Sequence, residues 1–369
     1  MADKKLSIAI IGSRGIPGNY GGFETFAEKL SLGLVERGHK VTVYCPSANS
    51  RTNERNYRGV RRVLIPNIAV KSLDKLSNSF LSCLHSIGAD HQIIFFLGVS
   101  PVLFAWLPRL FGKKTVINID GLEWKRKKWN RIASSYLKLS ESLSGKLCHE
   151  VVTDSRGIHK YFKEEYGKDS TFIAYGADIQ TFEDDRVLEK YGLKKNGYLL
   201  QVCRMEPENN SHIIIREYCQ SEADMPLVIV GDSPYGQQYI EDLKRMADHR
   251  VRFLGSIYGY DYDVIRSNPY CYIHAHEVGG TNPALLESLA AGNCVIVLDV
   301  PYNLEVIGEA GLSFSKAEGS LNQSLTKVLG NPHLVSEMRK KAVERIKENY
   351  TWDKIVNQYE KLFYQMLQD

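Results

Sequence analysis

Four groups of residues have the types and spacing to do chemistry. Gly12-Ser13-Arg14-Gly15-Ile16-Pro17-Gly18-Asn19-Tyr20-Gly21-Gly22-Phe23-Glu24-Thr25-Phe26 joins an apolar run to a helical pattern. Glycines at a strand-to-helix turn let backbone approach phosphate oxygens, and the amides of Gly21 and Gly22 at the helix start add donors and a favourable dipole. The spacing is neither G-x-G-x-x-G nor a Walker loop, and a plain glycine-rich turn reads the same way. Arg204 closes a second apolar run and precedes Met205-Glu206-Pro207-Glu208-Asn209-Asn210. A cation at the carboxyl end of a parallel strand stands where such sheets bind anions, although a surface Arg closing a loop has the same signature.

The third group runs from His274 through His276, Glu277, Gly279, Gly280, Thr281, Asn282 and Pro283 to Glu287. Amides at Gly280, Thr281 and Asn282, ahead of a helix begun by Pro283, suit a diphosphate, and Glu287 one turn on suits ribose hydroxyls. Two glutamates near a helix start are otherwise solvated or capping. In the fourth group, Asp120 and Asp154 each follow a short apolar strand pattern, so either suits orienting or deprotonating a hydroxyl. Helix capping is the plain alternative, and Ser155-Arg156-Gly157-Ile158 makes it credible for Asp154.

The elements that must position these residues are legible as short β-branched runs alternating with amphipathic helical patterns. Strands are expected at 6–11, 41–45, 93–97, 115–119, 151–153 and 171–174, and again at 198–203, 227–230, 251–254, 271–274 and 294–298. Such alternation means parallel sheets with crossover helices. Two series predict two doubly wound α/β domains: 1–175, joined by a closing helix in 352–369, and 176–351.

The 369 residues suit two domains, with 43% hydrophobic and 24% charged residues excluding disorder and coiled-coil rods. The seven cysteines are scattered without a C-x-x-C pair, so no disulfide framework or zinc site is expected. The start lacks the features of a signal peptide, and a cytoplasmic location is expected. Residues 92–108 carry no charge, but they fall short of a membrane span, and Gly98 and Pro101 split them into a buried strand and the start of a helix expected over 103–111. Net charge is only +4, yet residues 1–175 carry 27 Lys+Arg against 15 Asp+Glu, and the remainder 20 against 28.

Other candidates carry less. His274 and His276 are expected on opposite strand faces, which argues against a metal pair. Asp261-Tyr262-Asp263 is expected to begin a helix after Gly259 as an N-terminal charge pair. The basic cluster Lys125-Arg126-Lys127-Lys128 with Arg131, between Trp124 and Trp129, lacks any nucleic-acid module, so no nucleic acid is expected. With Lys113 and Lys114 and the apolar 103–111 segment it suits an anionic membrane surface.

Taken together, these motifs resemble retaining, GT-B-fold glycosyltransferases of family 4 over nearly the full length. Within them the chain resembles the bacterial rhamnosyltransferase branch of capsule and cell-wall polysaccharide synthesis. The resemblance rests on the Gly12–Phe26 motif, Asp120-Gly121-Leu122-Glu123-Trp124-Lys125-Arg126 with Trp129, Arg204 with Glu206-Pro207-Glu208-Asn209-Asn210, and the stretch from Glu277 to Glu287. It implies a cleft between two Rossmann-like domains, a C-terminal helix crossing back to the first, and transfer from a nucleotide sugar without a metal or other cofactor. Glu277 is implied at the donor sugar, Glu287 at the ribose and Arg204 at the diphosphate.

The same resemblance implies L-rhamnose from dTDP-rhamnose as donor and a polyprenyl-diphosphate-linked saccharide as acceptor, at the inner face of the plasma membrane. Two departures from the broad family stand out. Nine residues separate Glu277 from Glu287 where seven are usual, and Asn209 replaces a diphosphate-binding Lys. Donors carrying glucose, N-acetylglucosamine or mannose, or a nucleotide-sugar-binding protein without turnover, are the alternatives. An NAD-dependent enzyme is disfavoured by the missing fingerprint.

Overall fold

The computed structural model describes residues 5–18, 21–50, 52–66, 74–126, 129–233 and 236–368. Asn19 and Tyr20 of the glycine-rich motif and Lys127 and Lys128 of the basic cluster lie outside the described residues. The chain divides into two compact units, Met1–Gly176 with Trp352–Asp369, and Ala177–Thr351.

In the first unit the strands are β1 (Ser7–Ile11), β2 (Lys40–Pro46), β3 (Asn56–Tyr57), β4 (Val60–Ile65), β5 (Ile93–Leu97), β6 (Lys114–Ile119), β7 (Glu150–Thr153) and β8 (Thr171–Phe172). They form one sheet in the order β3-β4-β2-β1-β5-β6-β7-β8. Only the β3–β4 pairing is antiparallel. Every residue of β5 is buried, as a strand covered on both faces requires. The second unit holds β9 (Leu199–Val202), β10 (Leu227–Val230), β11 (Val251–Gly255), β12 (Cys271–His274), β13 (Cys294–Leu298) and β14 (Leu312–Phe314). Its all-parallel order is β11-β10-β9-β12-β13-β14.

The eleven expected strands are present, and three were not foreseen. In β4 the pair Arg61-Arg62 interrupts the apolar run, yet Arg62 is buried because its guanidinium donates to Glu54 O, Thr52 O and Ser50 Oγ. β3 and β14 are only two and three residues long, too short for periodicity to register. The segment read as a helix over 103–111 is instead a 3₁₀ turn, Val102–Phe104, followed by a five-residue helix, Trp106–Leu110. Among the described residues, no helix is long and apolar enough to cross a membrane.

In each sheet the strand order reverses once, between β1 and β5 and between β9 and β12. At such a switch point the two connections leave in opposite directions and open a crevice at the carboxyl ends of the strands. Gly12, just after β1, has φ +112°, and a Cβ there would lie 2.4 Å from Leu97 O. Only glycine lets the two strand ends come this close.

The closing helix Trp352–Met366 packs on the helix Gly22–Glu36 within the first unit. Phe26 rests against Phe95, Tyr175, Trp352 and Tyr359 with ring centroids 4.9 to 6.1 Å apart. The Tyr359 hydroxyl accepts from Asn118 Nδ2 at 2.8 Å. At the far end of the pair, Arg37 and His39 grip Glu360 at 2.6 and 2.7 Å. Removing a wholly buried aromatic ring leaves a cavity, so Tyr359→Ala is expected to destabilise the first unit by about 3 to 5 kcal/mol in urea unfolding. A change below about 1 kcal/mol would contradict this packing.

Candidate active site

The switch point of the second unit gathers the charged residues of two loops. Arg204 lies two residues beyond β9, and His276 and Glu277 lie just beyond the neighbouring β12. The loops are stitched together through Asn210, which is buried with φ 53°. Its side-chain amide donates to Ala275 O at 2.9 Å and to Glu277 Oε2 at 3.1 Å. The Glu277 amide in turn donates to Glu208 O at 3.1 Å. Lys316, on the segment after β14, reaches the same Glu277 oxygen at 2.5 Å. The carboxylate of Glu277 is thus fixed by one amide and one ammonium while its side chain stays 40% exposed.

Arg204 is 45% exposed, with Glu206 Oε1 3.8 Å from its Nη1. An ion pair that long and that exposed adds little, so the guanidinium can be recruited by a stronger anion. Asn209, where a cation was missed in the sequence, is buried and donates to Arg204 O at 2.7 Å. It braces the backbone that presents Arg204, and the additional cation of this crevice is Lys316. Glu208, also buried, has neither carboxylate oxygen hydrogen-bonded among the described residues.

Glu287 sits one turn into the helix Pro283–Ala290. Asn282 is the N-cap, its side chain accepting from Ala284 N at 3.0 Å, so that side chain is spent on the helix. Tyr262 donates to Glu287 Oε2 at 3.2 Å. Arg266, 8% exposed, brings Nε to 3.9 Å from the same oxygen, donates from Nη1 to Glu287 O at 3.0 Å and from Nη2 to Asp263 at 2.7 Å. Burial opposes the guanidinium charge, but Glu287, Tyr262 and Asp263 outweigh it and hold Arg266 above its ordinary value. Burial first, then the Glu287 charge, pushes the Tyr262 phenol well up. Asp261-Tyr262-Asp263 does fall in the first turn of a helix after Gly259. Its three members have separate tasks: Asp261 pairs with Lys190 at 2.6 Å, Tyr262 holds Glu287 and Asp263 holds Arg266.

The two histidines correct an expectation. Residues two apart in extended chain share a face, and the rings of His274 and His276 stack with centroids 4.2 Å apart and planes 13° apart. His274 is buried, which pushes its pKa down to about 3.

In the first unit the structure brings Asp120 and Asp154 to a common neighbour. Burial, then the charges of Asp120 and Asp154, push the Tyr175 phenol well above its ordinary value. Asp154 is wholly buried and Asp120 half-buried. Ser155, not Asp154, caps the helix Arg156–Tyr166, accepting from Ile158 N at 3.1 Å.

The glycine-rich loop is laid over its own helix. Glu24 accepts from Arg14 N at 2.8 Å and Glu28 from Gly18 N at 2.6 Å. Gly21 is the N-cap of the helix Gly22–Glu36, and a Cβ on it would meet Glu24 Oε2 at 3.1 Å. A carboxylate therefore already stands beside this helix start.

Of the residues the sequence singled out, Arg204 and Glu277 stand on neighbouring loops past β9 and β12, and Glu287 follows in the helix Pro283–Ala290, held by separate partners. Lys316, Tyr262 and Arg266 were missed as supports, because each is distant in sequence from its partner carboxylate, and Asp261-Tyr262-Asp263 was read only as a charged helix start.

Comparison with known proteins agrees with this architecture. Residues 5–178 match a family described as Domain of unknown function (DUF1972), and residues 183–349 match Glycosyl transferases group 1. An uncharacterised glycosyltransferase of Methanocaldococcus jannaschii is 24% identical, over 98% of each chain. The N-acetylgalactosamine-N,N'-diacetylbacillosaminyl-diphospho-undecaprenol 4-alpha-N-acetylgalactosaminyltransferase of Campylobacter jejuni is 24% identical over 76% of this chain and 78% of its own. Among solved structures, sucrose-phosphate synthase from Thermosynechococcus elongatus superposes with a TM-score of 0.84 at 17% identity, covering 99% of this chain and 100% of its own. HepE of Anabaena, in complex with UDP and glucose, gives 0.81 at 14%, covering 97% and 99%. At these identities the likeness is one of fold.

The buried imidazole sets a pH dependence. Its folded pKa of about 3 lies below the ordinary 6.5, so the unfolded chain binds the extra proton between those values and stability rises with pH there. Unfolding free energy is expected to fall as pH drops from 6.5 towards 3, with His274 contributing up to about 1.4 kcal/mol per pH unit. His274→Phe should flatten that limb in urea titrations at several pH values; an unchanged slope would contradict the assignment.

Proposed function

We propose that this chain is a glycosyltransferase of group 1 that transfers a sugar from a nucleoside diphosphate to a polyprenyl-diphosphate-linked saccharide with retention of anomeric configuration. The observation that carries the reading is the placement of Arg204 and Glu277 past the two strands of one switch point, with Glu287 in the helix that follows. Arg204 neutralises the diphosphate, whose charge grows as the glycosidic bond breaks; fixed cations aimed at developing charge are the most effective catalytic groups. Glu277, clamped by Asn210 and Lys316, meets the donor sugar hydroxyls. Glu287, clamped by Tyr262 and Arg266, meets the ribose. Backbone amides at Gly280, Thr281 and Asn282 complete the diphosphate site. No metal or other cofactor takes part.

Asp120 orients the acceptor hydroxyl, and the buried Asp154 acts through the ground it shares with Tyr175. On the same face of the sugar, the leaving phosphate accepts the acceptor's proton, so no protein nucleophile is needed. The lipid-diphosphate acceptor is supported by the Campylobacter relative, which acts on a diphospho-undecaprenol substrate. Association with the inner face of the plasma membrane follows from such an acceptor. For the donor, dTDP-rhamnose is preferred on the motif resemblance of Gly12–Phe26 and Asp120–Trp129. A second reading, a UDP-linked hexose, is favoured by the UDP and glucose bound to the Anabaena neighbour.

Turnover of a panel of sugar nucleotides, with and without EDTA, tests the reading. Release of dTDP from dTDP-rhamnose that survives EDTA, and an α- or β-product matching the donor anomer by NMR, are expected. Robust use of another donor with none of dTDP-rhamnose would remove the rhamnose assignment. Arg204→Ala and Glu277→Ala should each lower transfer by about a hundredfold or more while leaving the fold intact. Wild-type rates in both would overturn the site.

A further inference from the structure

Three neighbouring segments of the first unit are built inside out. A surface helix ordinarily turns its apolar stripe to the core. The helix Asp74–Ile87 does the reverse: its buried positions are Asn78, Ser79, Ser82, Cys83 and Ser86, whereas Phe80, Leu81 and Leu84 are exposed. The helix Arg131–Leu147 buries Ser140, Glu141 and Ser144 beside Leu137 and exposes Ile132, at 81%, and Leu139. Between them the helix Trp106–Leu110 leaves Trp106, Leu110 and the adjoining Phe111 in solvent, Leu110 at 73%.

Packing contacts join the three. The helix Asp74–Ile87 packs on Trp106–Leu110 and on the turn Val102–Phe104, with Phe80 and Phe104 rings 5.4 Å apart. Arg131–Leu147 packs on the same turn, Tyr136 donates to Ser100 O at 2.8 Å, and Arg109 Nη1 donates to Lys146 O at 2.8 Å. Ser79, Ser86 and Ser144 donate to carbonyls of their own helices, Lys75 O, Cys83 O and Glu141 O, whereas the buried Ser82 Oγ and Ser140 Oγ have no hydrogen-bond partner among the described residues. Small polar residues thus occupy the buried face and the large apolar side chains lie outside.

We infer that this face docks on an anionic lipid bilayer, resting on the proposed lipid-linked acceptor and specifying the surface that meets the membrane. Contiguous exposed apolar side chains mark an interaction surface. Charge selects the occupant. The three segments present Lys75, Arg109, Arg131, Lys138 and Lys146 as exposed cations, Lys138 lying 3.6 Å from the exposed Glu165 of the helix Arg156–Tyr166. Their acids are Asp74, half-buried, and Glu141, buried and accepting from Tyr161 and Tyr166. A second copy of the chain would set these cations against themselves, whereas anionic headgroups complement them, and the bulky apolar tips enter the boundary between headgroups and acyl chains.

Flotation of the full chain with phosphatidylglycerol–phosphatidylcholine vesicles, against phosphatidylcholine alone, tests this. The wild type is expected to float with the anionic vesicles, less so as salt rises. The pairs Leu110→Ser with Phe111→Ser, and Leu81→Ser with Leu84→Ser, should each lower partitioning about tenfold. Since these side chains are exposed, thermal unfolding and donor hydrolysis without lipid should match wild type in both pairs. Vesicle binding unchanged in both pairs, or a wild type that hydrolyses donor yet never floats, overturns the surface. So does self-association by sedimentation that the same substitutions abolish, because it assigns the face to a second copy. Flotation without hydrolysis of any donor supports the surface and counts against the transferase reading.

Discussion

Both sheets impose one constraint: parallel strands covered on two faces have no room for charge along their length. β5, β10, β12 and β13 are buried at every position. Polar chemistry is therefore pushed past the strand ends, and the reversal of strand order decides at which ends a crevice opens. In the second unit that crevice falls between β9 and β12. Arg204 and Glu277, 73 positions apart in the chain, follow adjacent strands for that reason.

Carboxylates near such a crevice need compensation, since a buried charge without partners is costly. Glu277 is compensated by Asn210 and Lys316, Glu287 by Tyr262 and Arg266. The two arrangements differ in rigidity. Lys316 is a flexible, half-exposed ammonium, whereas Arg266 is a buried guanidinium gripping Glu287 and Asp263. Under the proposed roles, with Glu277 at the donor sugar and Glu287 at the ribose, this difference suits a donor whose nucleotide is held while its sugar is transferred. The first unit follows another logic, turning apolar side chains outward on three segments.

Much of the fold was legible, because strands such as β5 and β13 are unbroken apolar runs between glycine- and proline-marked turns. β4 was not, since Arg61-Arg62 reads as surface until Ser50, Thr52 and Glu54 are seen to receive the guanidinium of Arg62. The short helix at Trp106–Leu110 was overextended because apolar composition alone does not set helix length. At the site, sequence places Arg204 and Glu277 after separate strands but is silent on their adjacency, which is a property of topology. Lys316 and Arg266 were invisible because side-chain partners across 39 and 21 positions leave no local pattern. The stacked histidines show the opposite failure, a periodicity that was available and misapplied.

The carboxyl edge of the second unit is proposed to bind the diphosphate of a nucleotide. Calorimetric titration of dTDP and UDP into the wild type and Arg204→Ala is the decisive measurement. Saturable one-to-one binding of at least one diphosphate is expected, weakened about tenfold or more in the variant, as loss of a charge-assisted contact implies. Heats indistinguishable from dilution for both nucleotides, or equal affinity in wild type and variant, would contradict it.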